Sequence, residues 1–319
     1  MPNIFSEKEW VESWHEAIKG DSRFKHLSIG NFFLICRTRR RPHPFNHFIE
    51  YPGQEIAYDI DMALDINAAG KYFKELKNIS GWDIMDFRHM DNDSSFLIIS
   101  ESISNAGIIK VYRNDDKVWE LDLSGDFQAY LASLNHSHKK KFLYYLNRFR
   151  KISGYKFYFA ADNFDKHWDI FLQLHSERIA AKRDESLMQD KVYKDFYKNF
   201  CFRHFKGNTL KLACLEVGGK ICAMLLGIEK YNTFYYLNSG FSSVLNKYSP
   251  GMVLPLLCIE YACAKGLKKF NFLGGDDKYK NDLGAKAHVT KRITLFRNRL
   301  VLISESIFEK IFFRKCAKT

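Results

Sequence analysis

Between Thr209 and Phe241 the chain passes through three stretches of strand-forming residues separated by short turns, a pattern that admits little besides an antiparallel meander. The first stretch, Thr209 to Val217, ends at Gly218-Gly219, a pair that takes positive φ at both central positions of a tight hairpin turn without steric cost. Lys220 to Ile228 forms the second arm, the polar Glu229-Lys230-Tyr231-Asn232 turns the chain again, and Thr233 to Phe241 forms the third. After a polar segment, Pro250-Gly251 opens a helix that runs to Lys265, with Gly266 as its C′ residue. Lys269 to Leu273 is then a short buried strand, leading into Gly274-Gly275-Asp276-Asp277-Lys278-Tyr279-Lys280. Meander, helix and strand in this order predict an α/β fold with mixed sheets. A central strand delivers the loop after it to the carboxyl edge of its sheet, where α/β proteins place ligands. The charged loop is therefore a candidate site, its alternative reading being a solvated turn.

The strings Asn246-Lys-Tyr-Ser-Pro-Gly-Met-Val-Leu254 and Phe272-Leu-Gly-Gly-Asp-Asp-Lys-Tyr-Lys280, in this order of elements, resemble the GNAT acyltransferase superfamily. Within it the chain is most similar to the CelD-like branch associated with bacterial cellulose and exopolysaccharide biosynthesis. A more distant similarity is to the Fem-type aminoacyl transferases of cell-wall synthesis, which carry two GNAT-like halves. The resemblance extends through most of the chain, including Trp119-Glu-Leu-Asp-Leu123 and the basic helix after it. It implies a degenerate GNAT-like half with bridging helices over residues 1–152 and a GNAT-like acyltransferase domain over 153–319. The implied activity is acyl transfer, of the N-acyl kind, to an amine-bearing cell-envelope or polysaccharide precursor. Acyl-CoA or an acyl carrier protein would be the donor substrate, with no permanently bound cofactor. Two alternatives accompany it: a Fem-type transferase that depends on aminoacyl-tRNA, and a non-catalytic GNAT-fold scaffold subunit of a polysaccharide-synthesis complex.

The same resemblance nominates residues. GNAT proteins join a strand to a helix by a phosphate loop of the form Arg/Gln-x-x-Gly-x-Gly/Ala, whose backbone N–H groups and helix N-terminus face the pyrophosphate of coenzyme A. By spacing this chain offers Asn246, Lys247, Tyr248, Ser249, Pro250 and Gly251, of which only the last glycine matches. Asn246, Lys247, Ser249 and Gly251 are the donor-binding candidates on that loop. The splayed strand of the superfamily falls on Thr233 to Gly240, so Tyr236 and Asn238 join the donor contacts, and Tyr235 or Tyr236 is the general acid. One of Asp276 and Asp277 supplies a base or an anchor for the amine, the other being solvated or capping, and Lys280 neutralises charge on the donor or the transition state. The connection after the first helix of a GNAT domain folds over the acceptor, which makes His175, Glu177, Arg178 and Lys182 acceptor contacts. For His175, on an apolar stripe with Trp168, Phe171, Leu172 and Ile179, a place at the edge of the core is the plainer account.

A length of 319 residues suits two domains, and 46% hydrophobic with 16% aromatic residues gives material for two cores. The N-terminus lacks the basic, apolar and small-residue order of a signal peptide, and no apolar run is long enough to span a membrane. This points to a cytoplasmic location. Seven scattered cysteines, an odd number mostly in apolar stretches, read as reduced thiols with no metal-binding spacing. The net charge of +12 admits an acidic partner such as tRNA, an acyl carrier protein or, by peripheral contact, an anionic membrane. Its clusters are Arg37 to Arg41, His138 to Lys151, and the tail with Arg314, Lys315 and Lys318.

The first half predicts a helix from Ser6 to Lys19 with a Ser6–Glu9 capping box. Strands Phe32 to Arg37, Glu55 to Ile60 and Gly81 to Arg88 come next, with a Pro42-His-Pro44 turn between the first two and helices Asn67 to Leu76 and Ser94 to Ala106. Strand Lys117 to Leu123 closes this half, whose expected role is support. From Asp126 to Ile152 the apolar residues recur at helical spacing with a break near Asn135-His136-Ser137, predicting two helices. Strand Tyr155 to Ala160 and helices Asn163 to Lys182 and Lys191 to Phe205 lead into the meander. No Gly-x-Ser-x-Gly elbow, Walker loop or His-Glu-x-x-His helix occurs.

Overall fold

The computed structural model describes residues 3–29, 32–38, 45–61, 75, 78–102, 108–182 and 185–316. By its contacts the chain divides into a first unit, Met1–Asp116 with Val289–Thr319, and a second, Lys117–His288. In the first unit, helix α1 (Lys8–Ile18) is followed by strands β1 (Phe24–Ile29), β2 (Phe32–Thr38), β3 (His47–Glu50) and β4 (Ile84–Met90) and by helix α2 (Ser95–Ser102). The chain crosses into the second unit within β5 (Ile109–Asp122). There it forms α3 (Phe127–Ser133), α4 (His136–Arg150), β6 (Tyr155–Ala160), α5 (Phe164–Lys182) and α6 (Lys191–Lys206). The meander is β7 (Leu210–Val217), β8 (Lys220–Lys230) and β9 (Thr233–Phe241), and α7 (Pro250–Ala264), β10 (Lys269–Gly274) and the short α8 (Lys278–Asp282) complete the second unit. Strand β11 (Lys286–Phe296) returns the chain to the first unit, which ends in α9 (Arg299–Cys316).

The second unit orders its strands β5-β10-β9-β8-β7-β6. β9 and β10 run parallel, and the other neighbours are antiparallel, so the sheet is mixed as expected. Its core joins Phe142, Leu146 and Phe149 of α4 to Val253, Leu257 and Cys258 of α7 and to the stacked rings of Phe234 and Phe270, 4.9 Å apart. Those α4 side chains are fully buried. The two helices expected to bridge the halves therefore belong to the second unit, and a boundary at residue 152 falls inside it. The C-terminal residues placed in the second domain by sequence return instead to the first unit, because β11 pairs with β4 there.

The first unit orders its strands β1-β2-β3-β4-β11. Phe48, Ile84, Phe296 and Val301 form one of its apolar clusters. Ser6 does not cap α1: it ends a short 3₁₀ turn capped by Asn3, and α1 begins after Glu7 without a side-chain cap bond. Glu55 to Ile60 is not a strand; it turns, and only Ile60 makes a β-bridge, to Met90. Apart from Glu75, the predicted helix Asn67 to Leu76 lies outside the described residues, as does the Pro42-His-Pro44 turn.

Candidate active site

The parallel pairing of β9 with β10 covers only Thr233 to Tyr235 against Lys269 to Asn271. Beyond Tyr235 the strands part, for reasons built into both. On β10 the register against β5 shifts between Asn271 and Leu273, and Leu273 adopts φ 58°. The Asn271 side chain holds this bulge, accepting from the Leu273 N–H at 2.7 Å and donating to Glu120 Oε1 at 2.9 Å. On β9 the register against β8 shifts between Leu226 and Gly227, leaving Leu237 without an opposite residue. The backbone from Tyr236 to Ser239, within the Thr233 to Gly240 stretch that the resemblance makes the splayed strand, is thus where the sheet opens.

Helix α5 lies directly on this stretch. A Cβ added to Gly240 would meet the backbone N of His175 at 2.3 Å, so the helix comes this close only because residue 240 is glycine. His175 is buried, with Nδ1 3.3 Å from the Ser239 carbonyl and Nε2 2.9 Å from Ser186 Oγ. A carbonyl only accepts, so Nδ1 carries the proton and Nε2 accepts from the Ser186 hydroxyl. Burial, with the Arg178 charge nearby, lowers the pKa of His175. His175 also forms one wall of a cavity of about 610 Å³ with Leu172, Ile179, Ser186 and Met188. Arg178, one turn further along, donates through Nη2 to Asn238 Oδ1 at 3.4 Å, and its buried Nε has no partner. Lys182 reaches Asp277 at 3.7 Å. Glu177 turns outward to Gln173.

The two strand tyrosines face opposite sides of β9. Tyr236 donates its hydroxyl to Ser239 Oγ at 2.6 Å and also hydrogen-bonds Tyr279, with Arg178 close enough to act on both phenols electrostatically. Burial raises both phenols, Tyr279 well above the ordinary tyrosine value, so each holds its proton at neutral pH. Tyr235 is buried on the other face.

The loop after β10 behaves less uniformly than its sequence suggests. Lys280 sits in α8 with its side chain only 3% exposed, and its ammonium donates to the carbonyls of Gly274, Gly275 at 3.1 Å and Leu273 at 3.5 Å. Burial pulls its pKa down to about 8 against the upward pull of Asp277 and Asp276. The ammonium thus faces backbone carbonyls at the end of β10 and just beyond it. Asp276 is exposed and pairs with Lys117 at 3.4 Å, whereas Asp277 is half exposed beside Lys182.

Asn246 and Lys247 lie in a 3₁₀ turn, Ser243–Tyr248, ahead of α7. Ser249 is left-handed at φ 55° and makes no side-chain cap bond. A Cβ on Gly251 would approach the Phe241 ring at 2.7 Å, which explains this glycine by packing. The turn faces α4: Arg148 lies over the rings of both Tyr248, at 5.0 Å, and exposed Tyr144, at 5.8 Å, while Lys247 lies over Tyr248.

One cluster therefore gathers His175, Arg178, Lys182, Tyr236, Asn238 and Asp277 at the opening between β9 and β10. Lys280 is close enough to Asp277 to feel its charge, while Asp276 pairs with Lys117, Glu177 with Gln173, and the Asn246–Gly251 segment lies beside α4. Tyr279, Ser186 and the Ser239 hydroxyl were not singled out from sequence; the one local signal was a tyrosine between the two lysines of the loop.

Residues 136–281 match the family model described as acetyltransferase (GNAT) domain. Among solved structures the chain is similar to FemX, with a TM-score of 0.61 and 10% identity over 91% of this chain and 92% of that one. It is also similar to the C-terminal domain of a putative lysylphosphatidylglycerol synthetase from Agrobacterium fabrum, with a TM-score of 0.57 and 12% identity over 95% of each chain. L-PGS from Bacillus licheniformis gives a TM-score of 0.57 at 9% identity, over 96% of this chain and 97% of that one. At such identities the likeness is one of fold. No curated protein matches the sequence.

Proposed function

We propose that this chain, with a GNAT-type acetyltransferase domain over residues 136–281, transfers an acyl group from a thioester donor to an amine of a cell-envelope or polysaccharide precursor. The observation that carries this reading is the parting of β9 from β10 after Tyr235 beside Arg178, Asn238, Tyr236 and Tyr279. Backbone N–H groups freed from a sheet partner suit the carbonyl oxygen on which negative charge grows as an amine attacks. The amine nitrogen forms a bond to the carbonyl carbon, the carbon–sulfur bond breaks, and the departing thiolate takes a proton. A phenol that burial keeps protonated is suited to supply it, which assigns that role to Tyr279 supported by Tyr236. Asp277, half exposed and next to Lys182, suits a carboxylate that receives the amine's proton through water. Arg178, whose buried Nε lacks a partner, suits a carbonyl or anionic group of a substrate. Lys280 organises the loop through its backbone carbonyls.

The acceptor class rests on the resemblance of the Asn246–Leu254 and Phe272–Lys280 strings to the CelD-like branch. The test is release of free thiol from acetyl-CoA across a panel of amino sugars and short diamines. The reading expects acceptor-dependent release that Arg178→Ala reduces at least tenfold; release by no acceptor, or release indifferent to that change, counts against it.

A second reading, aminoacyl transfer from tRNA, is favoured by one specific feature. Arg148 packed between Tyr144 and Tyr248, beside Lys247, combines charge with aromatic faces of the kind that bind single-stranded nucleic acid. Salt-sensitive tRNA binding that Arg148→Ala weakens would turn the assignment toward this donor.

A further inference from the structure

Helix α9, in the first unit, presents two chemically distinct sides. Val301 is buried in the cluster with Phe48, Ile84 and Phe296, and Glu305 is 8% exposed. On its outer side Leu300 is 71% exposed, Ile303 47% and Ile307 53%. Their spacing of three and four residues sets them along one stripe of the helix. Large apolar side chains exposed singly need no account, but a stripe of three on one helix marks a surface that is covered by something.

The charges around this stripe select its covering. Arg297, Arg299 and Lys310 are exposed, and none makes an ion pair among the described residues. On a helical projection Arg299 and Lys310 lie beside Ile303, whereas Glu305 projects to the opposite, buried side. Beyond Lys310 the sequence adds Arg314, Lys315 and Lys318 against no further acid. A second copy of the chain meeting this face about a two-fold axis would set these basic rims against each other, a like-charge arrangement that disfavours self-association. An anionic lipid surface accommodates both features at once: apolar side chains enter the acyl boundary while arginine and lysine heads remain among the phosphates.

We propose that α9 is a peripheral membrane contact, lying along an anionic bilayer with Leu300, Ile303 and Ile307 inserted and Arg297, Arg299 and Lys310 on lipid headgroups. The surface is independent of the acyl-transfer cluster, so either assignment can fail without the other. Electrostatic attraction of this kind weakens as salt screens it and scales with the number of basic groups near the surface.

The experiment is co-sedimentation of the full chain with vesicles of phosphatidylcholine alone and of equimolar phosphatidylcholine and phosphatidylserine, at low and moderate salt. The expected result is partition onto the anionic vesicles only, reduced by salt. The triple variant Leu300→Ser, Ile303→Ser, Ile307→Ser should lower partition by at least about tenfold, since each apolar side chain contributes to insertion. The variant Arg297→Gln, Arg299→Gln, Lys310→Gln should lower it on the order of 100-fold. Because these side chains are exposed, the far-ultraviolet spectrum and melting temperature of both variants should match the parent, which separates loss of contact from loss of fold. No partition onto anionic vesicles, equal partition onto phosphatidylcholine alone, or partition unchanged in the serine variant would overturn the proposal. So would a dimer in sedimentation velocity that the serine variant converts to monomer, since the stripe would then be a self-interface.

Discussion

At the scale of single residues, the site is governed by which polar groups are buried and what they face. Lys280 shows this most clearly. Its ammonium is shielded from water and holds the carbonyls of Leu273 and Gly274 at the end of β10 and of Gly275 after it. Lys280→Met should leave those carbonyls without donors and cost about 1–3 kcal/mol, read as a lowered melting temperature along with any loss of activity. A stability equal to that of the parent would show that the ammonium is not structural. His175 gives a prediction in pH. Burial places its folded-state pKa below the ordinary value of 6.5, so the unfolded chain binds the proton first as pH falls. Its contribution is therefore present above pH 6.5 and is lost as pH falls below that value toward the lowered one. His15, His26 and His89 are lowered in the same direction, so they share this acid sensitivity. Denaturant unfolding between pH 5 and 7 should show a shallower pH slope for His175→Asn than for the parent; an identical slope would mean that the ring does not titrate differently in the two states.

At the scale of elements, the meander, the helix after it and β10 were legible because alternation, tight Gly-Gly turning and helix-end glycine are local signals. Strand β9 is bounded as the sequence predicted, at Thr233 and Phe241. Elements with weak local signals were not legible. β11 carries Lys286, His288, Lys291 and Arg292 in its first seven residues and its large buried apolar side chains only at Ile293, Leu295 and Phe296, and α8 has five residues, too few to show a period. The opening between β9 and β10 was anticipated only through the family resemblance. Its physical causes, a register shift at Leu237 and left-handed Leu273, arise from pairing with distant strands. His175, Glu177, Arg178 and Lys182 were nominated through the family resemblance, and the partners of three of them, Ser186 and Ser239 for His175, Asn238 for Arg178 and Asp277 for Lys182, reach them only through the fold. The close approach of α5 to β9 is likewise set by one residue invisible to periodicity. Gly240→Ala should force α5 off β9, lowering stability by about 1–3 kcal/mol and activity with it. A melting temperature unchanged from the parent would show that α5 tolerates the displacement.

At the scale of the molecule, the two units carry different burdens. The second unit builds the cluster proposed for acyl transfer from α5, β9 and the loop after β10, and its core takes in α3 and α4, which sequence had assigned to a bridge. The first unit gathers the chain's two ends and carries the apolar and basic stripe of α9. No helix among the described residues is long and apolar enough to cross a membrane. The central claim is that acyl transfer takes place where β9 leaves β10, with Tyr279 protonating the leaving group. The direct measurement is kcat/KM for acyl transfer by Tyr279→Phe beside the parent and Asp276→Asn, each with its melting temperature. Loss of a general acid costs about 10²–10⁴-fold in rate, whereas removing an exposed carboxylate paired only with Lys117 should alter the rate little. A Tyr279→Phe protein that melts near the parent and loses about 10²-fold or more, with Asp276→Asn nearly unaffected, is the predicted result. Full activity in Tyr279→Phe would contradict the account.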